Sequence, residues 1–226
     1  MHRPFLKAGF VGLLVIVMSI LLMAVFPSTA PKLPDGFFTP IIAFEFMETK
    51  TEVYQLFGFP GTELREQMVS GMNLGNQLDY IYMGLYSLFL MMFSAGCAKI
   101  SGQKRFYAGI CIALGVLAAD VMENQQLFGI TEKLTSGDFD AELLQLQVFT
   151  WLKWGGLSIL FLLLATWFFN QNRFAKWIGG LCVASAVLGV AAFLFRSMAA
   201  EIFCLSVALV FLLMIIFCFT HKTQSA

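Results

Sequence analysis

Residues 107–129 read YAGICIALGVLAADVMENQQLFG. An apolar run suited to lipid ends in Asp120, Glu123 and Asn124. A membrane helix that closes on two acids and an amide carries groups that are costly in hydrocarbon. What surrounds this stretch decides both the fold class and where chemistry could reside.

The rest of the chain has the same apolar character. It has 226 residues, 59% of them hydrophobic and 12% charged, with a mean hydropathy of +0.80. Soluble domains carry about 25% charged residues, so the composition belongs to the membrane class. The formal net charge is zero. No basic patch with interleaved aromatics, zinc-ligand spacing or glycine-rich phosphate loop is present, which argues against a nucleic-acid partner. Cys97, Cys111, Cys182, Cys204 and Cys218 all lie in apolar runs without a C-x-x-C pair. They read as small buried residues rather than as disulfides or a redox centre.

A crossing helix needs about 20 apolar residues. Six blocks meet or approach this: 5–26, 78–98, 106–122, 148–169, 174–195 and 202–220. The expected fold is therefore all-α, a single domain over 1–226 with six transmembrane helices. Outer loops are expected at 27–77 and 123–147. The first block begins like a secretion signal, but its run is long and Pro31 follows Ala30, a poor cleavage context, so it reads as a retained anchor. Between the last two blocks lies RSMAAE, residues 196–201, with no glycine or proline. One helix through both blocks would measure about 70 Å at 1.5 Å per residue, against a slab of about 30 Å. A tight helical hairpin is expected there, with Ser197 as N-cap and Glu201 in the first turn of the last helix.

Alternating sides then place Arg3, Lys7, Lys99, Lys104, Arg105, Arg173, Lys176 and Lys222 together. The positive-inside rule makes that side cytoplasmic, with both termini inside. None of the 14 acids falls in a cytoplasmic segment. The longer outer loops should carry whatever activity exists beyond anchoring. In the first, Thr39-Pro40 signals a helix start. Thr49 with Glu52 makes a capping box. Gly58, Pro60 and Gly61 end that stretch, and Thr62 caps a third helix. These read as short amphipathic helices on the outer membrane surface, with a lid over the bundle as the alternative. Ser136-Gly137-Asp138 is a turn, and Asp140 begins the fourth long helix.

Six ionisable residues stand at span ends on the same side: Asp79, Asp120, Glu123, Lys153, Arg196 and Glu201. They form one expected layer of four acids and two bases, formally −2. Asp120, Glu123, Asn124 and Leu127 share a helix face, as do Asp79, Tyr82 and Tyr86, and Ser185, Gly189, Ala192 and Arg196. Gly109 with Ala113, and Gly180 with Ala184, offer small faces for close packing. Trp151 and Trp154 beside Lys153 read as interfacial anchors or packing residues, with a cation–π contact to Lys153 as the alternative. The candidate ligand-binding set is Asp79, Tyr82, Tyr86, Asp120, Glu123, Asn124, Lys153, Arg196 and Glu201. No catalytic residue, metal site or cofactor is indicated, and His2 and His221 fall on the side away from the acids.

Ala43-Phe44-Glu45-Phe46, Leu78-Asp79-Tyr80-Ile81-Tyr82 with Tyr86, Asp120-x-x-Glu123-Asn124 and Lys153 form an ordered set. It resembles a loose group of uncharacterised bacterial multi-pass membrane proteins. The resemblance covers roughly residues 43–155, carries no activity, and favours treating the charged layer as one unit. Three functions compete. One is an outward-facing binding or enzymatic pocket for a lipid-like or cationic ligand. The second is a proton- or cation-coupled transporter, weakened because the inner halves of the spans lack polar residues. The third is an accessory or assembly subunit in which the layer is only a set of salt bridges.

Overall fold

The computed structural model describes residues 3–58 and 61–222. The expected stop at Pro60 and the placement of His2 lie outside these residues. Helices run in the order α1 (Leu6–Val25), α2 (Pro40–Glu45), α3 (Lys50–Phe57), α4 (Glu63–Ser101), a short 3-10 turn (Lys104–Tyr107), α5 (Ala108–Lys133), α6 (Asp140–Phe168), α7 (Arg173–Phe195) and α8 (Met198–Thr220). Six of these elements are long and apolar enough to cross a membrane: α1, α4, α5 with its preceding turn, α6, α7 and α8. The protein is a multi-pass, all-α membrane protein. α1 packs on α4, α4 on α5, α5 on α6, α6 on α7, α7 on α8, and α8 closes the ring on α1.

Three helices run past the expected spans. α4 has 39 residues, about 58 Å at 1.5 Å per residue, roughly twice the hydrocarbon thickness. Its first turns, α5 beyond Met122 and α6 before Val148 project from one end of the bundle. The segments expected as outer loops are thus largely helical. Hydropathy misses the extension because polar residues such as Asn73, Asn76 and Gln77 interrupt the apolar pattern without breaking the helix. Thr62 caps α4, its side chain accepting from the Arg65 N–H.

The projecting turns carry α2 and α3. Phe44, Val53, Leu56 and Phe57 are fully buried, packed with Met68, Met72, Leu127, Ile130, Phe139 and Leu146 in a second hydrophobic core. Burying each such side chain is worth about 1.5–3 kcal/mol. The short helices exist as expected, and they pack as a cap over the end of the bundle, the lid arrangement. The projecting turns of α4–α6 offer them an apolar platform. Thr49 and Glu52 form the capping box of α3. Lys50 Nζ meets Asp140 Oδ2 at 2.7 Å, and Thr150 Oγ1 lies 3.0 Å from the Glu45 carbonyl oxygen.

The α7–α8 hairpin turns where expected. Arg196 and Ser197 take φ of 49° and 54°, a conformation that L-residues adopt only at a cost. Ser197 occupies the N-cap position of α8 without a capping hydrogen bond. Its hydroxyl donates to the Asp35 carbonyl at 2.7 Å instead. Thr39 likewise precedes α2 without capping it. Gly180 and Ala184 are exposed rather than packed. α7 meets its neighbours through Gly179, Cys182, Ser185 and Ala186, one step round the helix.

At the end away from the cap, aromatic rings fill the bundle. Phe5 stacks on Phe93 with centroids 4.6 Å apart, Trp167 lies 5.4 Å from Phe5, and Phe168 lies 5.5 Å from both Phe93 and Phe217. His221 stacks on Phe217 at 4.6 Å, and burial holds its pKa below the usual value.

Candidate functional site: a charged cavity beneath the cap

Lys153, on α6, is buried. Its ammonium contacts Glu123, which is wholly buried, and lies 3.3 Å from Asp120 Oδ1 and 3.0 Å from Glu45 Oε2. The i, i+3 spacing of Asp120 and Glu123 puts both on the face of α5 that meets α6. Glu45 descends from the cap, at the end of α2. Trp154 Nε1 also donates to Glu45 Oε2, at 3.2 Å, and Lys153 Nζ stands 5.0 Å from the Trp154 ring centroid. Thr150 Oγ1 hydrogen-bonds Glu123 Oε1.

A second layer comes from α4. Tyr86 hydrogen-bonds Asp120 through its hydroxyl. Asn124 Nδ2 donates to Asp79 Oδ2 at 3.0 Å and to the Asn76 carbonyl at 3.2 Å. Asp79, Tyr82 and Tyr86 share one face of α4, as their spacing requires.

These groups form one end of a cavity of about 310 Å³. Glu45, Asp79, Tyr82, Tyr86, Asp120, Lys153 and Trp154 make its polar wall. Val15, Ile16, Leu157, Val207, Phe211 and Ile215 make its apolar wall. The lining includes Ile20, Ala208 and Leu212, which are exposed on the outside of the bundle. The cavity therefore reaches the lipid-facing surface between α1 and α8. These two helices meet closely at the far end, where a Cβ on Gly9 would stand 2.9 Å from Cys218 Cβ and one on Gly12 would stand 2.5 Å from Ile215 Cγ1. Toward the cap the cavity occupies the space between them.

Seven of the nine candidate residues converge here: Asp79, Tyr82, Tyr86, Asp120, Glu123, Asn124 and Lys153. Arg196 and Glu201 do not. Counted from the far ends of their helices, they sit about one to two turns nearer the cap than Lys153, so the expected single layer is two layers. Arg196 pairs with Glu48 at 2.9 Å and contacts Glu52. Burial pushes the Glu52 carboxyl up, but the Glu48 and Thr49 amides and the Arg196 guanidinium outweigh it and hold its pKa below the usual value. Glu201 accepts from the Phe38 and Thr39 amides at 2.8 and 2.7 Å, and from the Thr39 hydroxyl at 2.9 Å. Both residues tie the cap and the irregular segment before it to the α7–α8 turn.

Glu45 belongs to the cavity and was not among the candidates. Its signal was an acid at the end of an otherwise apolar helix, PIIAFE. Ser19, Val207 and Phe211 carried no signal, since neutral residues lining a cavity look like those facing lipid. Among the described residues, no three or more His, Cys, Asp or Glu side chains are arranged to hold a metal ion. Chemically, the site can place charge and hydrogen-bond acceptors at one end of an apolar slot. In comparisons with known proteins the chain matches no family model, no curated protein and no solved structure.

Proposed function

We propose that this protein binds a lipid-like amphiphile in the cavity beneath its cap. The observation that carries the proposal is the change of wall along one cavity, from charged at the cap end to apolar along α1 and α8. A polar head and a hydrocarbon chain each find a matching environment, and pockets with few placed polar groups among apolar ones are the usual form of small-ligand sites. The orientation proposed is cap outward and both termini cytoplasmic, in a bacterial inner membrane. Lys99, Lys104, Arg105, Arg173 and Lys176 at the far end support it. The ligand would then enter from the outer leaflet. The aromatic packing around Phe5, Phe93 and Trp167 favours a pocket over a carrier, because a carrier needs a polar route to the other side.

The test uses the protein in nanodiscs of one synthetic phospholipid. Native mass spectrometry should detect a co-purified amphiphile on the wild type and lose it from Leu157→Trp, which fills the apolar wall. Equal occupancy in both, or no adduct on either, would count against the reading. A fluorescent protein fused to the C-terminus should fluoresce if that end is cytoplasmic.

The ion pairing of Lys153 with three carboxylates supports a second reading, an accessory subunit in which the cage only holds α2, α5 and α6 together. That reading expects no adduct.

A further inference from the structure

The hydrogen-bonding capacity of the polar wall points to the head group. Most donors around the cavity already have an acceptor; the exception is the buried Asn76 amide nitrogen, which makes no hydrogen bond. The ammonium of Lys153 carries three hydrogens and meets three carboxylates, Glu45, Asp120 and Glu123. Both Asn124 amide hydrogens are used, on Asp79 and on the Asn76 carbonyl. Trp154 Nε1 is given to Glu45, and the Tyr86 hydroxyl to Asp120. The Ser19 hydroxyl gives its hydrogen to the Val15 carbonyl at 2.9 Å.

Acceptors are in surplus. Asp79 lines the cavity, and no donor among the described residues reaches its Oδ1. Four carboxylates (Glu45, Asp79, Asp120, Glu123) face one ammonium, a formal balance of −3. Excess charge in an apolar slab must be met by a proton or by a cation. An anionic head, phosphate or carboxylate, would meet several like charges and few free donors.

Resting on the amphiphile reading above, we infer that the ligand is a single-chain amphiphile with a protonated primary amine as its head. Its N–H groups lie against Asp79 and the Asp120 edge of the cage, and its chain lies between α1 and α8. A primary ammonium supplies both what the wall lacks, positive charge and hydrogens to donate. A quaternary ammonium supplies only the first and an alcohol only the second.

Four probes of one chain length separate these terms: dodecylamine, dodecyltrimethylammonium, dodecanol and dodecanoate. Each is titrated into nanodisc-embedded protein at pH 7, with the unfolding midpoint as readout. Dodecylamine should raise the midpoint at the lowest mole fraction, and dodecanoate should not raise it. Asp79→Asn should weaken dodecylamine by about tenfold or more, the loss of one charge-assisted hydrogen bond, and narrow its advantage over dodecanol. Ala208→Trp, a lipid-facing change at the mouth that leaves every acid in place, should abolish the effect. It guards against misreading a poorly folded Asp79 variant. If dodecanol or dodecanoate stabilises as strongly as dodecylamine, the head-group inference fails while the amphiphile pocket stands. If sodium chloride alone reproduces the dodecylamine effect, the site holds a free cation and the inference fails. If no probe acts, or Ala208→Trp responds like the wild type, both the inference and the pocket fail.

Discussion

Replacing Lys153 by methionine removes the only cation from the cage and keeps most of the side chain's volume. Glu123 would then be a wholly buried carboxylate with Thr150 as its remaining partner, and Asp120 would keep Tyr86. Removing one partner of a buried pair costs about 3–5 kcal/mol. Typical domain stabilities are about 5–15 kcal/mol, so the variant should lose a large part of its stability. Lys153→Met combined with Glu123→Gln removes the charge stranded at Glu123, the most buried of the three carboxylates, and keeps an amide for Thr150. Pairs in contact couple by about 0.5–3 kcal/mol. The double variant should therefore be more stable than the sum of the two single losses predicts, by about 2 kcal/mol within that range. Unfolding in mixed micelles, titrated with denaturing detergent and followed by helicity, measures all four corners of the cycle. Additive losses, or a Lys153→Met variant within about 1 kcal/mol of the wild type, would refute the view that Lys153 neutralises Glu123.

Three further outcomes follow from the packing. Phe57→Ala empties a fully buried site in the cap and should cost about 3–5 kcal/mol; hydrogen exchange should rise in α3 before it rises in the spans. Gly12→Leu places atoms where a Cβ would already stand 2.5 Å from Ile215 Cγ1. It should destabilise by about 1–3 kcal/mol through overpacking, read as a lower unfolding midpoint. Glu52 has a depressed folded pKa, so its contribution is present above its ordinary value of 4.5 and is lost as pH falls through the lower folded value. Protease cleavage within 40–57 should accelerate over that acid window, and Arg196→Gln should flatten the dependence.

Much of the scaffold was legible because it rests on short-range rules. The Thr49–Glu52 box, the turn at 136–138 and the shared face of Asp120, Glu123 and Asn124 depend on spacings of a few residues, which the chain states directly. The six crossings followed from length and hydropathy. Depth was harder. Span order places residues to within a turn or two, so Arg196 and Glu201 merged with a layer that they overlook from above. The cap escaped for a related reason. Hydropathy marks where a helix leaves lipid, not where it ends, and α4 continues well beyond that point. Glu45 joins Lys153 across 108 positions, a pairing that no local pattern encodes. The lining from α1 and α8 is neutral and apolar, so only three-dimensional placement separates it from the lipid-facing surface.

The first and last helices of the chain make the mouth of the cavity. During synthesis α8 enters the membrane after α1 and α4–α7, so the apolar wall formed by Val207, Phe211 and Ile215 is missing until then. Contacts so distant in sequence are late to form. The charged cage, built from α2, α4, α5 and α6, can assemble sooner and stands open on one side until α8 arrives. A chain truncated before residue 198 would keep the cage but present it directly to lipid, with its surplus of acids unshielded. Completion of the last helix therefore turns an exposed cluster of charge into an enclosed site.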